Sequence, residues 1–473
     1  MTRVAVVGGG PGGLMTARLL EQRLDRSSRV RVFEAGDRLG GKLQTRRFDS
    51  AAVRYEAGIA ECYDYHHVGH DPLRAFVEGL GLQPIQTSGT TVVLNSQWLR
   101  DDRDIERLCG RRTREALERF RREAMAMLPP GRWCQSGTTD DVVRPWARQT
   151  WADLLTRIPD PVARRYVEVA SHSDLATEPH LTGGLVGLRT FLRSVPAYAA
   201  QYTIRGGMER LSEHLAESLN RTQILLRSPV VSVAGDRGAR YRLGYRRGSS
   251  IQAEDFDAVV VALPYGQLRR IAWAGHRLRR AMNAHIARFD RPGHYLRVSM
   301  LFERAFWRPP FHDSFLMLDA FGGCCLYDES PPGDDRGYGV LGWLLAGASA
   351  STLARVADDQ LRDRVIEALP RPWRPEARQL AVEVKVNRWV GALSGVPGGM
   401  GVKPRRASHQ PEPVEHPGLV VVGDYLFDST LNGVLRSARL AADLIAHGSE
   451  AQRHRTAAAR WCMSQASAHA PTG

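Results

Sequence analysis

Gly8, Gly10 and Gly13 stand at G-x-G-x-x-G spacing within VAVVGGGPGGL, Val4 to Leu14. That spacing suits the holding of a dinucleotide pyrophosphate. The first glycine permits a tight turn, the second lets phosphate approach the backbone, and the third lets helix and strand pack closely. The free N–H groups and positive end of the following helix then face the phosphates. An acid is expected about twenty residues on, at the adenosine ribose. Glu34 stands there, after the apolar run Val30 to Phe33. The far end carries a second candidate segment, GLVVVGDYLFDSTLNGVLRSARLAADLI, Gly418 to Ile445. Asp424 follows an apolar run and could hold a ribityl hydroxyl or a phosphate-side water, and Asn432-Gly433 open an amphipathic stretch. A helix N-terminus there would stabilise the charge that collects on a reduced flavin. The plainer alternative is a strand-loop-helix with Asn432 as its N-cap.

Those residues need elements to position them. Val4 to Val7 and Val30 to Phe33 read as short buried strands, with a helix from Leu14 to Leu24 between them. Asp104 to Leu128 reads as one long charged helix, and helical patterns recur at Trp151 to Thr156 and Val162 to Leu175. The scarcity of strand signal there predicts a helical cap. Gly206-Gly207-Met208 open a helix to about Leu219, then a strand runs from Ile224 to Val233. A polar hairpin near Arg237 to Arg246 precedes the apolar strand Ala258 to Leu263. Strands are expected at His294 to Phe302, Val340 to Leu345 and Leu380 to Val386, with a helix from Ser351 to Leu369. Leu419 to Val422 and Gly433 to His447 read as a final strand and helix.

Nucleotide-style segments thus alternate with other segments, so each domain must be discontinuous. The expected division is residues 1–85, 200–290 and 388–450 for FAD binding. Residues 86–199 and 291–387 form the substrate and cap domain, and 451–473 a polar tail. The fold class is α/β: a discontinuous Rossmann-like FAD-binding domain with a mixed α+β substrate domain and a helical cap.

Size and composition agree with two globular domains: 473 residues, 43% hydrophobic and 25% charged. No stretch approaches the ~20 apolar residues of a membrane span. The first strand begins almost at Met1, leaving no room for a cleavable signal, and the six cysteines are scattered. Reduced thiols in a cytoplasm are therefore expected. The net charge of +14 and pI of 9.9 invite a nucleic-acid reading. However, Lys42, Lys385 and Lys403 are the only lysines, and the arginines are dispersed and interleaved with acids from Arg103 to Arg122. That pattern describes solvated helix faces rather than a nucleic-acid site. The histidines lack metal-ligand spacing, so no metal is expected.

With these motifs in hand, the chain resembles the flavin-dependent amine oxidase superfamily, which includes monoamine and polyamine oxidases, L-amino-acid oxidases, protoporphyrinogen oxidase and carotenoid desaturases. EAGDRLGGK, Glu34 to Lys42, is similar to the family's motif after the second strand. The resemblance implies that Glu34 binds ribose, Arg38 the pyrophosphate, and Gly40-Gly41 a close-approach turn. Lys42 stands where the family usually has arginine. Tyr55 to Gly58 resembles the loop near the flavin ring, and Gly206-Gly207 with Ser228-Pro229-Val230 the segment whose valine carries adenine. Gly423-Asp424 and Asn432-Gly433-Val434 resemble the ribityl and flavin-edge contacts. No second strand-glycine-helix unit for a nicotinamide is evident, since GVPGGMG from Gly395 runs into polar sequence. Molecular oxygen or another acceptor is therefore the expected partner.

The chain also departs from that pattern. Arg297 occupies the position, judged from Phe306-Trp307, where amine oxidases carry a lysine that holds water against the flavin. An arginine is a poor proton shuttle but can bind an anion; the alternative is a strand arginine facing solvent. Thr430 and Leu393 fall where cage tyrosines are expected, and Tyr425, Phe427 or Trp389 could substitute. Val390 lies near the cysteine that anchors flavin in some members, so FAD is expected to be non-covalent. In ECYDYHHVGH, Glu61 to His70, the residues Glu61, Asp64, His66 and His67 could grip a cationic or polyhydroxylated substrate, unless the loop is merely solvated.

The resulting expectation is an FAD oxidoreductase that takes hydride from a C–N bond of a small polar amine or amino acid onto flavin N5. Arg297, Glu61 and Tyr425 are the candidate catalytic residues. A C–C desaturase is the alternative enzyme, and an escort-type protein that binds partners without redox chemistry is the alternative outside catalysis. Oligomeric state stays open.

Overall fold

Valine runs with no polar alternation require burial on both faces, and the first sheet supplies it. In this computed structural model, which describes residues 2–69, 71–133, 146, 148–235, 240–331, 337–396 and 405–448, five parallel strands form that sheet. Their order is Thr222–Leu225, Arg29–Phe33, Arg3–Val7, Ala258–Val261, Leu419–Val421. Val4, Val6, Val260 and Val420 face a helical layer containing Leu14, Leu20, Ala438 and Ala441. Ala5, Val7, Val259 and Val261 face the other way, against Val233, Leu243 and Phe256 of a four-stranded sheet. Strands from both ends of the sequence thus meet in one sheet.

The glycine turn differs slightly from expectation. The helix begins at Pro11 rather than Leu14, running Pro11–Arg23, because proline at the first helical position has a pre-set φ and no N–H to lose. Gly10 is its N-cap and provides no side-chain cap.

Other expectations are corrected. The charged helix is two, Asp102–Cys109 and Arg111–Met127, broken at Gly110 with φ of 93°. The segment Ile224 to Val233 is split between two sheets, as Thr222–Leu225 and Val230–Gly235. Ser351 to Leu369 likewise divides, into Gly347–Leu353 and Asp358–Glu367. The strands Val230–Gly235 and Tyr241–Arg247 pair antiparallel on either side of Arg237, as the expected hairpin requires, and Ser250–Phe256 pairs with the second of them. Residues 236–239 of that hairpin, His70, the 397–404 part of GVPGGMG with Lys403, and the tail from 451 lie outside the described residues.

A second, seven-stranded sheet is built around Pro292–Phe302, flanked by Ala381–Ser394 and Gly339–Ala346. Cys324–Asp328 and Phe315–Leu318 continue it, and Val92–Leu94 and Gln97–Leu99 complete it. The last two precede the helical stretch, where no strand is predicted; three-residue strands carry too little periodicity to register. Helices Arg111–Met127, Trp151–Leu155, Pro161–Leu175 and Gly184–Arg193 pack over this sheet as a cap. Arginines on the cap helices pair with neighbouring acids, as Arg114 does with Glu118 at 3.0 Å.

Candidate active site

The candidate cofactor cradle starts at the turn after Arg3–Val7. Gly8 has φ of 107°, and a Cβ there would lie 2.5 Å from the Ala262 carbonyl oxygen. A Cβ at Gly13 would lie 1.9 Å from the Gly8 oxygen, so neither position admits a side chain. Gly10 is different, because a Cβ there would meet only Gly41 Cα, at 3.9 Å. Its face is open, as a position approached by a ligand must be. Glu34 stands at the predicted acid position and accepts from the N–H groups of Gly9 at 2.8 Å and Gly36 at 2.7 Å. Arg38 is engaged by the chain itself: its guanidinium donates to the carbonyls of Leu39 at 2.8 Å, Leu43 at 3.2 Å and Gly41 at 2.5 Å, and contacts Glu209 at 3.2 Å. It thereby braces the turn that lays Gly41, φ 54°, against Gly10.

The second segment closes over the first. Lys42 Nζ lies 3.7 Å from Asp424 Oδ2. A Cβ on Gly58 would strike the Lys42 carbonyl oxygen at 2.0 Å, which fixes the loop Tyr55 to Gly58 beside it. Gly423 follows the strand Leu419–Val421, and its N–H donates to Ser437 Oγ at 3.1 Å. Residues 431–448 form the last helix, and its cap is Thr430, whose hydroxyl accepts from Gly433 N–H at 3.1 Å. Asn432 is therefore not the N-cap. It lies inside the helix and donates to Asp71 Oδ1 at 3.0 Å, and its own Oδ1 is buried without a partner. Val434 packs toward Gly12. Val230 begins the strand Val230–Gly235 opposite Tyr245, and the neighbouring Ser228 N–H donates to the Glu34 carbonyl at 2.8 Å. An uncapped helix start, an open glycine face and an orphaned amide oxygen fit a flavin dinucleotide along this seam.

A buried polar cluster adjoins the cradle through the chain from Glu56 to Tyr65. Arg297 is 1% exposed and forms an ion pair with Glu329, its guanidinium lying 4.7 Å from the Tyr327 ring centroid. It does not face solvent. Tyr327 Oη donates to Glu61 Oε1 at 3.2 Å, so Arg297 and Glu61 are brought together as expected residues of one site. Burial and the repulsion of Asp174 push Glu61 up to about 8. Burial and the repulsion of Glu329 push Glu56 up to about 8 as well. Glu329 also accepts the Glu56 N–H at 3.1 Å.

Several members of the cluster escaped the sequence reading. Asp174 lies on the cap helix Pro161–Leu175 and accepts from Tyr63 Oη. Arg193 ends the helix Gly184–Arg193, with its guanidinium 4.9 Å from the Tyr63 ring centroid. The one available signal was Asp174 itself, an acid seven residues after Val167 on the buried stripe of its helix.

Other candidates are placed elsewhere. Tyr425 does not join Arg297 and Glu61. Its ring is packed 4.8 Å from Phe289 and 6.4 Å from Tyr265, with Oη 3.3 Å from His285 Nε2, in the core beneath the sheet. Asp64 is taken by Arg74 and His66, and His66 and His67 sit at the surface. Trp389 donates to the Ala57 carbonyl at 2.8 Å and flanks Gly58. Val390 is 53% exposed.

Comparison with known proteins decides the family. The family model described as flavin-containing amine oxidoreductase matches residues 11–446. The chain belongs to that family. It is thus a flavin-dependent oxidoreductase, which leaves the escort-type alternative without support. Putrescine oxidase of Kocuria rosea is 25% identical over 478 residues, covering 93% of this chain and 94% of that protein. The structure of wild-type putrescine oxidase bound to putrescine superposes with a TM-score of 0.72 at 18% identity, over 94% of this chain and 99% of the other. Cyclohexylamine oxidase from Brevibacterium oxydans IH-35A gives 0.71 at 17% identity, over 95% and 99%. A putative protoporphyrinogen oxidase from Exiguobacterium sp. 255-15 gives 0.66 at 17%, over 94% and 99%. At these identities the structural likenesses speak for the fold. Among the described residues, no helix is long and apolar enough to cross a membrane.

Proposed function

We propose that this protein oxidises the C–N bond of a small polar amine or amino acid, using non-covalently held FAD and passing electrons to molecular oxygen or another acceptor, as a cytoplasmic enzyme. The division at residues 1–85, 200–290 and 388–450 against 86–199 and 291–387 belongs to the same reading. Gly8, Gly10, Gly13 and Gly41 give the pyrophosphate its approach, with Arg38 bracing the turn. Glu34 faces the ribose, and the backbone at Val230 the adenine. Lys42, Gly58, Gly423 and Asp424 flank the ribityl and ring region, and Asn432, Gly433 and Val434 present the helix start to the ring edge. When bound, the flavin supplies the hydride acceptor.

The observation that carries this reading is the burial of Arg297 and Tyr327 with Glu61 under the cap. Water-poor surroundings strengthen each charge among them. Arg297, held by Glu329, is a fixed positive charge that neither gives nor takes a proton near neutrality. Tyr425, packed in the core, supports the floor rather than the reaction. The engagement of Arg297 also favours a second reading, C–C desaturation, which makes no demand for a lysine at that position.

The purified protein is expected to be yellow, to release its FAD on denaturation, and to form hydrogen peroxide with amines. A colourless protein, or a yellow one producing no peroxide with any amine or amino acid, would overturn the oxidase. Reduction of the flavin by an alkane-chain substrate without nitrogen would install the desaturase.

A further inference from the structure

We propose that His172 is a proton-operated latch on the cap: its charged ring clasps the end of a cap helix to the seven-stranded sheet, and loss of the proton releases that end. This goes beyond the amine oxidation proposed above and does not depend on it. His172 lies on the helix Pro161–Leu175 and is 3% exposed. Its Nδ1 stands 2.9 Å from the carbonyl oxygen of Gly323, in the turn before the strand Cys324–Asp328. Its Nε2 stands 3.2 Å from Glu178 Oε2, just beyond the helix end. The other oxygen of Glu178 accepts from the Ala348 N–H at 2.8 Å, at the start of the helix Gly347–Leu353. Cys325 pairs with Leu344, so both turns lie at one end of the sheet.

Neither partner of the ring can donate. A carbonyl oxygen only accepts, and Glu178 is ionised: the His172 ring first, then the Ala348 N–H, holds its carboxyl down at about 2. A neutral imidazole donates from one nitrogen and presents a lone pair on the other. That lone pair would face a carboxylate or a carbonyl, a repulsive contact where water is largely excluded. Only the imidazolium, with a proton on each nitrogen, makes both contacts at once. The sheet is also shaped to receive it. A Cβ on Gly323 would lie 2.9 Å from His172 Cβ, and one on Gly347 would lie 2.4 Å from Glu178 Oε1.

Other charges near this contact have partners of their own. Arg165, two turns earlier on the helix, donates to the carbonyls of Asp319 at 3.2 Å and Gly322 at 3.3 Å and pairs with Glu168. The Asp319 carboxylate accepts from the Asn95 N–H at 2.6 Å, and His180 lies in the field of Glu178. Of the strands packed on the helix, Cys324–Asp328 brings the Cys325 thiol, which burial pushes up, and Gly339–Ala346 brings no ionisable group. The neighbouring helices Arg111–Met127 and Gly184–Arg193 bring Arg121 and Arg193, whose charges act on Tyr166 and Asp174. Asp153 of Trp151–Leu155 accepts from Thr150 N–H at 2.8 Å. The latch therefore turns on the His172 proton. Asp174, two residues further on, accepts from Tyr63 in the buried cluster and is held in place by the same clasp. The clasp is present while the ring is charged and is lost as pH rises.

Hydrogen exchange of the protein as purified with its flavin tests the latch. Segments covering residues 161–181 are compared with the strand Ala258–Val261, after correction for the intrinsic pH dependence of exchange. Between about pH 6 and about pH 9, protection of the cap segment is expected to fall at least about tenfold relative to that strand. His172→Gln keeps a donor for Gly323 but no charge, and is expected to show the lower protection at both pH values. Glu178→Gln is the sharper variant, because its amide can donate to the neutral ring. Its cap segment is expected to stay protected at high pH, so that the fall vanishes or reverses. Should His172→Gln fail to fold, Glu178→Gln decides alone. Constant protection in the unaltered protein, or an undiminished fall in Glu178→Gln, overturns the latch.

Discussion

A methyl group added at Gly13 would press on the Gly8 carbonyl oxygen at 1.9 Å, whereas one at Gly10 would stand in open space 3.9 Å from Gly41. The two glycines are therefore unlike: Gly13 is required by packing, while Gly10 leaves an open face for the proposed ligand. Gly13→Ala is expected to cost at least about 3 kcal/mol of stability or to prevent folding. Gly10→Ala is expected to fold and to purify with its flavin content greatly reduced, which absorbance per protein would show. Protonation gives a second prediction at this scale. Glu56 rises from an ordinary 4.5 to about 8 through burial and Glu329. A raised folded-state value favours the native state below the unfolded value and loses that contribution as pH climbs to about 8. Glu56→Gln should therefore flatten the decline in melting temperature between pH 5 and pH 8, by up to about 1.4 kcal/mol per pH unit. An unchanged pH slope would refute the neutral carboxyl.

Single residues also decide where elements end. The arginine- and glutamate-rich stretch from Asp102 to Met127 has helical spacing throughout, and Gly110 alone breaks it. With φ of 93° and nothing within 4 Å of a built Cβ, Gly110 is held by backbone conformation and not by crowding. Gly110→Ala is expected to destabilise the protein by about 1 kcal/mol, read from denaturant midpoints. The split of the segment from Thr222 to Gly235 has another cause. Arg227, at φ 50°, and Pro229 turn the chain out of the parallel sheet before Val230 enters the next one.

Across the whole molecule, buried polar links bind segments far apart in sequence. Asp71 caps the helix Pro72–Glu78 by accepting from Leu73 and Arg74, and also accepts from Tyr65 N–H and from Asn432. It joins the segment carrying Glu61 to the helix 431–448. Lys42 and Asp424 make a further tie between the early and late segments. Asn432→Ala is expected to cost about 1–3 kcal/mol and to weaken flavin retention, measured by thermal unfolding and by cofactor release. A variant with unaltered unfolding and retention would show that this link is idle.

Much of the local structure of the candidate cradle was legible in the sequence, because it depends on local geometry. The glycine spacing, the acid after the second strand and the valine runs specify turn, helix start and buried strands within about thirty residues. Arg297 and Glu61 were recognisable as unusual residues on a strand and a loop. Their company was not, since Asp174, Arg193, Tyr327 and Glu329 come from different elements and converge only when the cap closes on the seven-stranded sheet. Tyr425 shows the converse: nothing local distinguishes a tyrosine that faces a cavity from one that packs in a core. Sequence determines backbone conformation and the pattern of burial over short spans. Which side chains share a low-dielectric space, and so which charges shift one another, is decided by the packing of distant segments.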